Sequence, residues 1–264
     1  MTLRDEGNMK KIKIFIMNPE KFQDRRKSLK NRLDKTKFEY EFMSINDEVD
    51  LTPDAIVKNH NSKKTIDSFG RDFTRGELAS TLNHLLAYEK FIQSGNEIAV
   101  ILEDDVAFDS KEFEVIVNSI IKIINTSKPQ ICQLTPVTSY LKNNAIEIGD
   151  KHKIASVIQS WGSQAYIINR PAAINIIKVN KKSWIIADDW ERYNRYAGIS
   201  LFGVIPPIAI ASGVFDSNLE KDRSQSLRNH KTLKYVLSRW KHKINADMKK
   251  YFYYIPFRGY IRNR

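Results

Sequence analysis

Residues 98–105, IAVILEDD, constrain this chain most strongly. Five apolar residues in a row, Ile98 to Leu102, mark a strand covered on both faces. Such strands belong to mainly parallel sheets with helices packed above and below. Glu103, Asp104 and Asp105 follow at once. Adjacent carboxylates repel one another unless a cation offsets their charge. In α/β sheets ligands gather at the C-terminal ends of strands. Carboxylates there suit Mg2+ or Mn2+ held together with substrate phosphates. Extended geometry points Glu103 and Asp105 to one side and Asp104 to the other. The plain alternative is a solvated turn whose acids cap the next helix.

The remaining chain supports an α/β fold. Residues 11–17 and 40–45 read as strands, with a helix between them over 21–33. Residues 47–70 are polar and irregular, and read as a long loop. Thr74 and Glu77 have capping-box spacing, and the helix they open carries Leu78, Leu82, Leu85 and Phe91 up to a stop at Gly95. A further helix starts at Asp109 or Ser110. Residues 130–134, 155–158 and 164–168 read as strands, the last two divided by Ser160-Trp161-Gly162. Pro171 opens another helix. Strand and helix patterns alternate through residue 180, without a repeat or a low-complexity tract.

The formal charge of +12 is unevenly placed. Residues 220–264 hold 13 Lys/Arg against 3 Asp/Glu, so the body is nearly neutral. In that tail Leu233, Val236, Leu237, Trp240, Ile244, Met248 and Phe252 recur at helical spacing among lysines and arginines. This is the pattern of a basic amphipathic helix directed at an anionic surface. The expected organisation is an extension over 1–9, a catalytic domain over 10–220 and a basic helical tail over 221–264. No run approaches the 18 or so apolar residues of a membrane span. A cytoplasmic protein, peripheral on the inner face of the membrane, is expected. The single cysteine, Cys132, excludes an internal disulfide.

Other candidate residues are less specific. Asp188 and Asp189 precede Trp190, so one carboxylate could take a proton from a sugar hydroxyl while the indole stacks on the ring. The alternative is a helix N-cap with the indole in the core. Asn18 and Arg25 follow the first strand, where a nucleotide could bind, and Arg75 could meet a phosphate. His84 sits mid-helix, where a structural histidine is the commoner case. Glycine-rich phosphate loops, a serine nucleophile elbow and a Cys/His zinc pattern are all missing from the sequence.

Four segments in order, IFIMNPEKFQDRR, TRGELASTLNHLLAYEKF, AVILEDDVAF and GSQAYIINRPAAINII, resemble glycosyltransferase family 25, the bacterial lipooligosaccharide glycosyltransferases. Ser80 stands where the family usually has cysteine, and Asn83 where it has serine. The resemblance implies a GT-A-like (Rossmann-like) fold with a mixed, mainly parallel sheet. It implies an inverting, metal-dependent transfer of galactose or glucose from a UDP-sugar to a lipid-linked lipopolysaccharide acceptor. Carried over, Glu103 and Asp105 would hold Mn2+ or Mg2+. Asn18, Arg25, Arg75, Gly76, Glu77, His84 and Asp104 would line the donor site, and Asp188 and Asp189 would supply the base. The rival classes are a nucleic-acid-binding protein using the basic aromatic tail and a metal-dependent phosphohydrolase or nuclease. The first leaves the acidic cluster unexplained, and no nucleic acid partner is expected. The second usually draws acids from several strand ends, and Leu134 and Ile168 end strands without them.

Overall fold

Phe15 of β1 (Ile12–Met17) faces Ile101 of β3 (Ile98–Glu103), and the two strands run parallel at the centre of the molecule. A computed structural model describes residues 11–45, 51–143 and 145–212, positions 236, 237, 240 and 244, and the backbone of 258–260. On the far side of β1 lies β2 (Tyr40–Met43), also parallel. On the other side of β3, β9 (Ala165–Asn169) runs antiparallel and pairs in turn with β5 (Gln130–Gln133). Next comes β10 (Ser200–Ile205), parallel to β5. Five of these six strands therefore point one way and β9 alone is reversed. The sheet continues antiparallel through β8 (His152–Gln159) to β6 (Ser139–Leu141) and β12 (Arg258–Tyr260), with β7 (Ile146–Ile148) also on β8. This is an α/β arrangement, a mixed, mainly parallel central sheet with helices on both faces.

Alternation along the strands divides the core. Ile98, Val100 and Leu102 face α1 (Gln23–Leu33) and α5 (Ser110–Ile123), whose Leu29, Leu33, Phe113 and Val117 complete one apolar layer. Ala99 and Ile101 face the opposite layer, built with α4 (Arg75–Gln93), α6 (Arg170–Asn180) and α7 (Trp190–Ala197). Every residue from Ile98 to Leu102 is fully buried, as a two-sided strand requires. Cys132 packs in the first layer, where burial pushes its thiol up to about 12 and leaves it unreactive.

Helix starts follow their caps. Thr74 and Glu77 form the reciprocal capping box at the head of α4. Asp109 caps α5 and Asn169 caps α6, with Pro171 in its first turn. The loop expected over 47–70 is instead α2 (Pro53–Asn59) and α3 (Ser62–Phe69) where it is described. Both helices are short and polar, so apolar periodicity gives no signal. Their caps do: Thr52 accepts from Ala55 N, Asn61 accepts from Lys64 N, and Gly70 closes α3 at φ 75°. Strands β6, β7 and β10 add to those expected from the sequence, as do β4 (Val106–Ala107) and β11 (Ile210–Ala211), which pair across the acidic turn. The 1–9 extension lies outside the described residues. Most of the tail does too, but Val236, Leu237, Trp240 and Ile244 are helical and exposed.

Candidate functional site

The acids after β3 diverge. Asp104 turns towards β1 and α1. It accepts from Asn18 Nδ2 at 2.9 Å and from Arg25 Nη1 at 3.2 Å. Burial raises its carboxyl above the usual value against these two partners. A carboxylate only accepts, so the Asn18 amide must offer it nitrogen. That leaves Asn18 Oδ1 buried without a partner. Arg25 also lies over the Phe22 ring, 4.2 Å from its centroid, which holds the guanidinium in place.

Glu103 points to the opposite layer. Its Oε1 accepts from Ser163 Oγ at 2.6 Å and from His84 Nε2 at 3.3 Å. Burial alone would raise this carboxyl, but His84 and Ser163 outweigh it and hold it below the usual range. His84 is itself fixed. Its Nδ1 bonds Tyr166 Oη at 2.8 Å, and Tyr166 Oη bonds Tyr88 Oη at 2.6 Å. A buried chain Tyr88–Tyr166–His84 thus ends on Glu103.

Asp105 differs from both. Its Oδ1 is buried with no partner. Burial first, then the charges of Glu103 and Asp104, push its carboxyl up to about 6, with Arg25 opposing. Its backbone carbonyl accepts from Ser212 N at 2.7 Å, which locks the turn against β11. An orphaned carboxylate oxygen that follows two partnered carboxylates in the chain fits a divalent cation of the Mg2+ or Mn2+ type. Among the described residues no group of three His, Cys, Asp or Glu side chains is gathered for a metal. One or two carboxylates with the remaining positions left to phosphate and water is the usual Mg2+ pattern.

Asp189 caps α7, accepting from Arg192 N at 3.0 Å, and pairs with the Arg192 guanidinium. It is buried, so its charge is committed to the helix start. Asp188 is partly exposed beside it. Trp190 is fully buried and stands edge-on to Tyr166 at 5.0 Å, and its Nε1 donates to Gly162 O at 2.8 Å. The sugar-stacking role read for Trp190 is therefore corrected: the indole is core. It ties the Asp188 segment to the loop that carries Ser163 to Glu103.

Arg75, Gly76 and Glu77 lie elsewhere. Glu77 is buried and takes a two-pronged bond from Arg71, at 2.7 Å on each oxygen, besides the capping bond from Thr74 N. Arg75 Nη2 donates to Leu51 O at 2.6 Å. Nine residues of helix, about 13 Å, separate this end of α4 from His84. The structure thus joins Asn18, Arg25, His84 and the three acids into one edge, and leaves residues 75–77 at the far end of α4. Sequence reading missed Ser163, Tyr88 and Gln133. Gln133 is buried at the end of β5 with Nε2 unpartnered.

A family model described as "Glycosyltransferase family 25 (LPS biosynthesis protein)" matches residues 11–190. Solved structures similar to the chain are distant. One is the CMP:2-keto-3-deoxy-manno-octonic acid synthetase complexed with CTP, at 13% identity and TM-score 0.39, over 81% of this chain and 98% of that one. Another is a glycosyltransferase involved in glycosylation of the major capsid of PBCV-1, at 11% identity and TM-score 0.31, over 82% and 99%. A third is mannose-1-phosphate geranyltransferase from Thermus thermophilus, at 10% identity and TM-score 0.39, over 74% of each chain. No curated protein matches. The family match spans every residue of the acidic edge except Ser212, and by it this chain belongs to glycosyltransferase family 25, the LPS biosynthesis glycosyltransferases.

Proposed function

We propose that this glycosyltransferase moves galactose or glucose from a UDP-sugar onto a sugar hydroxyl of a lipid-linked lipopolysaccharide acceptor, with inversion at the transferred carbon. The observation that carries the reading is the Asp105 carboxyl. Its orphaned oxygen and its pKa of about 6 describe a group that gains by meeting a cation. In this reading Asp105 and Glu103 hold Mn2+ or Mg2+, which when bound offsets charge on the diphosphate. Asn18 and Arg25, braced by Asp104, receive the nucleotide end. His84, backed by Tyr166, orients Glu103.

The acceptor oxygen forms a bond to the sugar carbon as the bond to the diphosphate breaks on the opposite face. UDP leaves with the bonding electrons. The hydroxyl proton passes to Asp188, which is partly exposed and follows the backbone that Thr81 Oγ1 anchors at Ala187 N, 3.2 Å away. Asp189 serves as the cap that fixes this segment. The exposed, helical Val236, Leu237, Trp240 and Ile244 on a basic tail support peripheral attachment to an anionic membrane.

Thermal-shift titration with UDP-galactose, UDP-glucose and UDP, with and without Mn2+, tests the reading. Metal-dependent stabilisation by one UDP-hexose is expected, and Asp105→Ala should abolish it together with transfer. Full transfer by Asp105→Ala, or by the wild type in chelator, would overturn the metal role. Wild-type activity in Asp188→Asn would move the base elsewhere.

A further inference from the structure

We propose that Trp161 is the platform on which the reacting pyranose ring stacks. This rests on the transfer reading above and names a binding surface for it. Of the three tryptophans between residues 11 and 212, Trp184 and Trp190 are buried, at 3% and 1% exposure. Trp161 is 53% exposed, and among the described residues no ring packs against it. An indole left open beside a polar site forgoes the burial that usually stabilises it. A scattered surface tryptophan needs no explanation, but this one sits on a pinned loop.

Each of the three residues after Trp161 is tied to the site. Gly162 O accepts from Trp190 Nε1 at 2.8 Å. Ser163 Oγ donates to Glu103 Oε1 at 2.6 Å. Gln164 O accepts from Glu103 N at 2.8 Å. Gly162 adopts φ +94°, a conformation that L side chains rarely adopt, and this sets the turn that follows the indole. One residue, Gly162, separates Trp161 from Ser163, so their Cα atoms lie within about 7 Å. The backbone that carries this exposed indole is therefore held next to the carboxylate end of β3.

Its side of the sheet identifies the ligand. Asn18 and Arg25 follow β1, one neighbour of β3, while the Trp161 loop precedes β9, the other neighbour. The nucleotide end and the indole thus flank the acidic turn from opposite sides. A ligand that reaches Trp161 from the diphosphate presents a sugar. The C–H face of a hexopyranose packs on an indole while its hydroxyls stay outward.

Calorimetry with UDP, UDP-galactose, UDP-glucose and delipidated oligosaccharide from a host strain lacking this transferase tests the proposal on the full chain. Trp161→Ala should weaken saccharide binding about tenfold, with Trp161→Phe retaining most of it, while the melting temperature and UDP affinity stay unchanged. Weaker UDP-hexose binding relative to UDP puts the donor ring on the indole, and weaker oligosaccharide binding puts the acceptor ring there. Either result supports the platform. Equal binding of all probes by Trp161→Ala and wild type overturns it, as does a loss confined to UDP or a wild type that binds no saccharide. A wild type that binds saccharide but transfers no hexose removes the transfer reading and leaves the platform. Normal transfer by Trp161→Ala with unweakened saccharide affinity does the reverse.

Discussion

Ser163 donates to Glu103 across 2.6 Å, and this bond, together with that from Glu103 N to Gln164 O, joins the loop ahead of β9 to the carboxylate end of β3. It also competes with burial for control of Glu103, whose carboxyl stays low because His84 and Ser163 both serve its charged form. Ser163→Ala should lower kcat/KM by about 10-fold to 100-fold, since a hydrogen bond to a charged group contributes about 1.5–3 kcal/mol. The melting temperature should fall by several degrees as well, because the bond is already made in the folded chain. Steady-state kinetics beside a thermal melt check this, and unchanged kinetics would show that the bond only shapes the loop.

Asp105 makes a stability prediction with a definite sign. Its folded pKa of about 6 lies above the ordinary aspartate value, so the folded chain holds this proton more tightly than the unfolded chain does. The group costs nothing below about pH 4. Its cost grows as pH rises and is complete above about pH 6. Asp105→Asn should therefore be more stable than wild type at pH 8 by about 1–3 kcal/mol, with the gap closing near pH 4. Denaturant unfolding at the two pH values measures it. A gap of the same size at both would rule out titration as the cause.

Glu77 tests the scaffold. Its buried carboxylate meets Arg71 twice and closes the capping box of α4. Removing one partner of a buried pair leaves a charge without compensation, at a cost of about 3–5 kcal/mol. Glu77→Ala should lose that much in urea unfolding, and a double cycle with Arg71→Ala should recover part of it. A loss under about 1 kcal/mol would show that the fork contributes little.

Trp240 and Ile244 address the membrane. Both are exposed on a helix at i, i+4 spacing. Replacing both by Glu should lower binding to vesicles rich in phosphatidylglycerol at least tenfold, through lost apolar burial and added like charge. Transfer to a delipidated acceptor should be unaffected. Vesicle sedimentation at two salt concentrations gives the answer, and equal binding would assign the helix another partner.

Legibility from sequence followed the physics of each segment. The run Ile98 to Leu102 admits one reading because a strand buried on both faces has no polar position, and β3 is that strand. Thr74 and Asp109 announce their helices because capping is local chemistry. The polar α2 and α3 carry no apolar stripe, so their sequences read as loop. At the site, the motif marks all three acids but not their different fates. Whether a carboxylate meets Asn18, His84 or nothing depends on residues 19 to 86 positions away, which only the fold brings near. Trp190 shows the same limit. Beside an acidic pair it reads as a ligand surface, and packing makes it a core residue.

The reversal of β9 has a consequence for how such a site diversifies. Asn18 and Asp104 leave strands at the working edge, whereas residues 160–164 enter one there. This segment is the arrival of a strand at an edge otherwise built from departures. It bridges β8 and β9 directly, without a crossover helix. Position 161, the exposed one in this segment, can therefore change without repacking either helical layer, while Gly162 stays tied to Trp190 and Ser163 and Gln164 stay tied to Glu103.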